Sequence, residues 1–111
     1  MSFEYKRGHV VNVWFPNDDP KNPGLKDRPC VILSRHSDTE FKFACITGTD
    51  WSKTNRGFWI EANTKEYSHM RLSKPSFINL DDIKILPETA IRNYKGYCPK
   101  IDEIDVILKD K

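Results

Sequence analysis

Gly8-His9-Val10-Val11-Asn12-Val13-Trp14-Phe15-Pro16, a polar loop, and then Gly24-Leu25-Lys26-Asp27-Arg28-Pro29-Cys30-Val31-Ile32-Leu33-Ser34 form two strand-like runs with a charged loop between them. In the first run Val11, Val13 and Phe15 alternate with Val10, Asn12 and Trp14. That period of two sends successive side chains to opposite faces of a strand. Pro16 has no N–H to give to a ladder, so the first strand is predicted from His9 to Phe15. The loop that follows, Asn17-Asp18-Asp19-Pro20-Lys21-Asn22-Pro23-Gly24, is dense in turn formers and reads as surface. It delivers Arg28 to the mouth of a short apolar run, Cys30 to Ser34, the second strand.

Outward from this pair, the polar stretch Arg35 to Glu40 turns the chain back into a third strand, Phe41 to Thr47. Phe41, Phe43 and Cys45 share one face of it, and the same period brings Thr47 to the end of that face. Gly48 to Gly57 reads as a loop, and Phe58 to Glu61 as a fourth strand closed by Ala62-Asn63-Thr64. The segment after Thr64 gives no decisive pattern. Ser76 to Leu80 and Ile83 to Leu86 are predicted as strands five and six, split by Asp81-Asp82 and punctuated by Pro75 and Pro87. After Pro99, Ile101, Ile104 and Leu108 recur at helical spacing, with Asp102, Glu103 and Asp105 early and Lys109 late, as a helix dipole prefers. The chain is therefore predicted to be mainly β: a small twisted barrel or curled antiparallel sheet capped by a C-terminal helix.

A length of 111 residues suits one domain, residues 1–111, with a single modest core. Hydrophobic residues at 38% and charged residues at 31% give a soluble balance, and no apolar run approaches the roughly 18 residues of a membrane span. Met1 to Arg7 has no apolar h-region, which predicts no signal peptide and a cytoplasmic protein. Cys30, Cys45 and Cys98 are odd in number and far apart, which argues against a disulfide framework and against a zinc site. A net charge of +2 is too small to mark a nucleic-acid binder by itself, so the position of each charge has to decide.

Arg28 precedes proline, which biases its backbone toward an extended conformation and fixes how its side chain leaves the loop. It fits a surface ion pair with Asp27 or Asp18, and it equally fits a phosphate, whose oxygens match the guanidinium fork. Thr47, followed by Gly48, can place a hydroxyl on the rim of the sheet where a ligand approaches closely, or be a plain β-branched strand residue. Lys26, Lys53 and Arg56 lie in or beside the nearby loops, and Trp14, Trp51 and Trp59 offer rings for an unpaired base or for ordinary packing. His9, His36 and His69 are scattered without metal-site spacing, and no serine elbow, Gly-rich phosphate loop or carboxylate pair supports the common hydrolase, kinase or dinucleotide templates.

Arg7 to Val13, the polar loop, Lys26 to Ser34, and Ala44-Cys45-Ile46-Thr47 resemble the N-terminal half of the MazF/PemK family of toxin endoribonucleases. Trp59-Ile60-Glu61 and Leu80 to Leu86 follow that family's order of elements. The resemblance implies an SH3-like β-barrel of five to seven antiparallel strands with a C-terminal helix. It also implies a homodimer and a cognate antitoxin protein that covers the RNA groove. The implied activity is metal-independent, needs no cofactor, and cleaves single-stranded RNA at short sequences. The RNA's own 2′-hydroxyl attacks, leaving a 2′,3′-cyclic phosphate and a 5′-hydroxyl.

Carried over by position, Arg28 matches the arginine that holds the scissile phosphate and assists proton transfer, and Thr47 matches the threonine that steadies its oxygens. Arginine is a poor general base because its pKa exceeds about 12, so charge stabilisation is its natural part. Asp81 matches an aspartate used in some members. Lys26, Lys53 and Arg56 are the expected guides for the RNA backbone. His9 stands where the family usually has an acidic residue, the loop lacks the usual Glu-Gln before its glycine, and Asn79 replaces an arginine of some members.

Two other readings stay open on the sequence. A gyrase-inhibiting toxin of the CcdB kind shares the fold, but the ending Val106 to Lys111 lacks the tryptophan-bearing tail on which that family relies. A catalytically silent SH3-like binding module is distinguished by RNA binding without cleavage.

Overall fold

The computed structural model describes residues 4–16 and 25–109, the side chains of 15–16 and 25–27 excepted. The polar loop with Asp18, and the side chains of Lys26 and Asp27, lie outside what is described. The elements are β1 (His9–Pro16), β2 (Leu25–Arg35), β3 (Glu40–Thr47), β4 (Gly57–Ile60), α1 (Lys65–Met70), β5 (Ser76–Pro87), a 3-10 turn at Glu88–Ala90, β6 (Ile91–Tyr97) and α2 (Ile101–Lys109). The six strands form one antiparallel sheet in the order β4-β5-β3-β2-β1-β6. The sheet is not closed, and β4 and β6 are its edges. The mainly β architecture with a C-terminal helix matches the prediction.

Three elements differ from the sequence expectation. The predicted strands five and six are one strand, β5, and the Asp81-Asp82 interruption is expressed as an irregularity within it. On β3 the neighbours Ala44 and Cys45 face Ile83 and Asn79, so three residues of β5 are accommodated without ending the ladder. The true sixth strand, Ile91–Tyr97, went unread because an edge strand need not alternate: Arg92, Asn93 and Tyr94 are all exposed. The unread segment after Thr64 contains the six-residue α1, started by the Thr64 hydroxyl accepting from the Tyr67 N–H and ended by Arg71 in the left-handed region at φ 55°.

The central strands bury both faces. Val10, Val31, Leu33, Ala44 and Ile46 point to one side, beneath Met70 of α1 and Ile101 and Ile104 of α2. Val11, Val13, Cys30, Ile32, Phe41, Phe43 and Cys45 point to the other, with Tyr5, Leu86, Ala90 and Ile91 packed against them. The helix α2 is pinned at its first turns by Arg7, which binds Asp102 at 2.9 Å and donates from Nε to Asp105 at 2.8 Å. These carboxylates raise the Arg7 pKa, the Asp102 hydrogen bond foremost. Under that helix, the fully buried Cys98 thiol is pushed up to about 11 by desolvation. Gly96 of β6 lies so close to α1 that a Cβ there would stand 2.2 Å from the His69 carbonyl oxygen.

Candidate active-site cleft

β2 and β3 run antiparallel with Cys30 opposite Cys45 and Ile32 opposite Phe43. The ladder ends at Cys30 and Cys45; carried two residues further, its register would set Arg28 level with Thr47, and the period of two puts both on the face that carries Cys30, Ile32, Phe43 and Cys45. The stripe is thus apolar along most of its length and polar at its rim. The layer next to the polar pair is uncharged: Cys30 and Cys45 are free and buried. The Cys30 pKa is raised, first by its hydrogen bond with Cys45 and then by burial.

Arg28, Pro29, Ile46, Thr47, Gly48, Thr49, Lys74 and Ser76 line a cleft of about 470 Å³. Arg28 and Pro29 come from β2, Ile46 and Thr47 from the end of β3, and Ser76 from the start of β5, so the cleft sits where β3 ends and β5 begins, against the early part of β2. The Thr47 Oγ1 accepts a hydrogen bond from the Thr49 N–H at 3.3 Å. That bond occupies a lone pair and leaves the hydroxyl proton available for an anionic oxygen. Among the described residues that line the cleft there are two cations, Arg28 and Lys74, and no carboxylate. Among the described residues no carboxylate forms an ion pair with Arg28.

The other candidates are placed differently. Asp81 is not among the residues lining the cleft; its Oδ2 accepts from the Arg56 backbone N–H at 2.7 Å, and its Oδ1 lies 3.0 Å from Arg56 Nε and 2.9 Å from Nη2. Arg56 is thereby tied to β5, with Leu80 N–H donating back to the Arg56 carbonyl at 2.9 Å. Asn79, at the place of an arginine in some family members, is 7% exposed and accepts from Asn55 Nδ2 and the Asp81 N–H. Its amide fastens the loop to β5. Lys53 is exposed in the same loop, whose turn is closed by Thr54 and Asn55 N–H groups on the Trp51 carbonyl. Asp50 there has a lowered pKa, because Ser52 hydrogen-bonds its carboxylate.

Of the three tryptophans, Trp51 is exposed, Trp14 has Arg92 5.2 Å from its ring centre, and Trp59 donates from Nε1 to Glu61 at 2.7 Å. Lys74 is the cleft residue that sequence reasoning missed. Its signal was there: Lys74-Pro75 opens β5 as Arg28-Pro29 opens the apolar part of β2, a cation held extended by the proline after it.

The chain matches the model of the PemK-like, MazF-like toxin of type II toxin-antitoxin systems over residues 6–108. A match over almost the whole sequence shows the family: the chain belongs to the PemK/MazF-like toxins of type II toxin-antitoxin systems, whose partner is an antitoxin. No individual curated protein matches it significantly. Among the described residues, no helix is long and apolar enough to cross a membrane.

Proposed function

We propose that this toxin is a sequence-specific endoribonuclease that binds and breaks a single-stranded RNA phosphodiester in the cleft between Arg28 and Thr47. The observation that carries the reading is that these two side chains, one from β2 and one from the end of β3, line one cleft. The chemistry asks for little else. The substrate's 2′-oxygen bonds to phosphorus while its proton departs, and the bond from phosphorus to the 5′-oxygen breaks as that oxygen takes up a proton. The products are a 2′,3′-cyclic phosphate and a free 5′-hydroxyl, and no metal enters the step.

Negative charge on the equatorial phosphate oxygens grows along this path, and Arg28 meets it with the planar fork of its guanidinium. Thr47 donates its hydroxyl to the same phosphate. Asp81 acts through Arg56, holding the loop that follows the cleft and steadying it against β5. Lys53, with Lys26, guides the strand electrostatically, while Arg56, expected from the sequence to share that part, is held by Asp81. The protein works in the cytoplasm as a homodimer, and its antitoxin inhibits by occupying the RNA groove.

The test is incubation of purified protein with single-stranded RNA in EDTA, with the ends mapped by primer extension and by their resistance to ligation without kinase. Products with 5′-hydroxyl ends are expected, nearly abolished in Arg28→Ala and reduced in Thr47→Val. Intact RNA across diverse sequences, or cleavage equal in both variants, would refute the assignment.

A further inference from the structure

We propose that Lys74 is a second phosphate-binding residue of the cleft, which takes the phosphodiester next to the one held by Arg28. The inference rests on the RNA reading of the cleft and adds to it a contact from the bend that leads into β5. β3 lies between β2 and β5, so Arg28, on β2, and Lys74, in the bend that leads into β5, approach Thr47 and Gly48 from opposite sides. Two cations that enter the cleft from opposite sides of β3 suit two successive phosphates better than one.

The ammonium group is seated by the absence of a side chain at Gly48. A Cβ built there would lie 3.0 Å from Lys74 Nζ and 3.1 Å from Cε, so the lysine lies across the glycine directly beyond Thr47. The backbone of Lys74 is fixed as well: the Ser76 hydroxyl, 5% exposed, donates to the Lys74 carbonyl at 2.9 Å, and Pro75 restricts the conformation before it. Gly48 has no positive φ. Alanine there meets only the far end of a flexible side chain, so Gly48→Ala folds but moves the ammonium off its seat.

The experiment measures binding of a single strand whose 2′-hydroxyls are replaced by hydrogen, which cannot be cleaved by this route, as a function of salt. Each phosphate neutralised on a single strand contributes about 0.7 to the slope of log affinity against log salt. Lys74→Met is expected to lower the slope by about 0.7 and the double variant with Arg28→Ala by about 1.4, the sum expected if the two cations hold different phosphates. Lys74→Arg keeps the slope, and Gly48→Ala lowers it with every charge retained.

A Lys74→Met slope equal to wild type overturns the inference, and a double variant losing no more than Arg28→Ala alone overturns the two-phosphate arrangement. The nuclease reading is judged separately on an all-ribose strand. Should the wild type leave that strand intact, the reading fails while the slopes still decide for or against Lys74. A wild-type protein with no salt-dependent binding overturns the Lys74 inference and leaves the nuclease reading to the all-ribose strand.

Discussion

The two ends of the loop between β3 and β4 handle an arginine in opposite ways. At the far end Arg56 spends its guanidinium and its backbone N–H on a single carboxylate, Asp81, so the charge is neutralised where it stands. At the near end Arg28 and Lys74 line a cleft in which, among the described residues, no acid stands beside them. A cation matched by an acid of its own fold contributes to architecture. A pair of cations gathered around a hydroxyl and a glycine, with no acid in the described lining, is built for an anion that comes from outside.

The largest expected effect follows from removing the arginine of the cleft. Arg28→Ala should slow cleavage by about 10³-fold, as loss of a preorganised contact to developing charge does, with the melting temperature nearly unchanged. A similar loss on Asp81→Asn, measured in the same single-turnover assay, would erase the distinction between the two ends.

Next comes a test of the frame that carries both ends. The Cys98 thiol titrates near 9.0 in the unfolded chain and at about 11 in the fold, so its contribution is complete below pH 9 and is lost as pH rises toward 11. The loss amounts to about 2 to 3 kcal/mol, and Cys98→Ala should flatten this alkaline limb in urea titrations between pH 8 and 11. An unchanged limb would show that other groups dominate it.

Thr47→Val keeps shape while deleting the hydroxyl. It should reduce cleavage about 10- to 30-fold, the usual worth of one hydrogen bond to a charged group. An effect on binding of uncleavable RNA as large as the effect on rate would mean that Thr47 holds ground state and transition state alike.

The smallest effect belongs to the neutralised end. Asp81→Asn should cost about 1 kcal/mol of stability, since the pair is a third exposed on each side and water screens much of its attraction. Cleavage per folded molecule should stay within about threefold of wild type, because the changed group lies outside the chemistry.

Legibility followed burial. β1, β2 and β3 were readable because their apolar alternation is a direct print of the two faces they cover, and α2 because Ile101 and Ile104 are buried at helical spacing. β6 left no such print: it lies at the edge, and Gly96 is its only buried residue. The break at Asp81-Asp82 was a true signal that admits two expressions, an end or an irregularity, and composition alone does not choose between them.

In the cleft, Arg28 and Thr47 were legible because Arg28 stands just before the apolar run of β2 and Thr47 closes β3. Lys74 was not, because it follows a helix of six residues, too short to show a period, and its meaning depends on Gly48, far away in sequence and adjacent in space. Asn79 shows the same limit. Its amide is bound to the loop through Asn55, which no local pattern announces.

The double-sided burial of the middle strands has a consequence for how the rim is aimed. Sheets with one oily and one wet face resist slippage because a shift of one residue would drown polar groups. Here a shift merely exchanges one oily set for another, and hydrophobicity polices the alignment weakly. Bulk takes over that duty: Phe43 and Ala44 are neighbours facing opposite sides, and a shift would drive a phenyl ring into a slot cut for a methyl group. Arg28 would then look across at Ile46 or Gly48, with the threonine turned to the wrong side of the sheet. The sighting of the two rim groups on a common target is therefore held by the girth of side chains that no ligand ever touches.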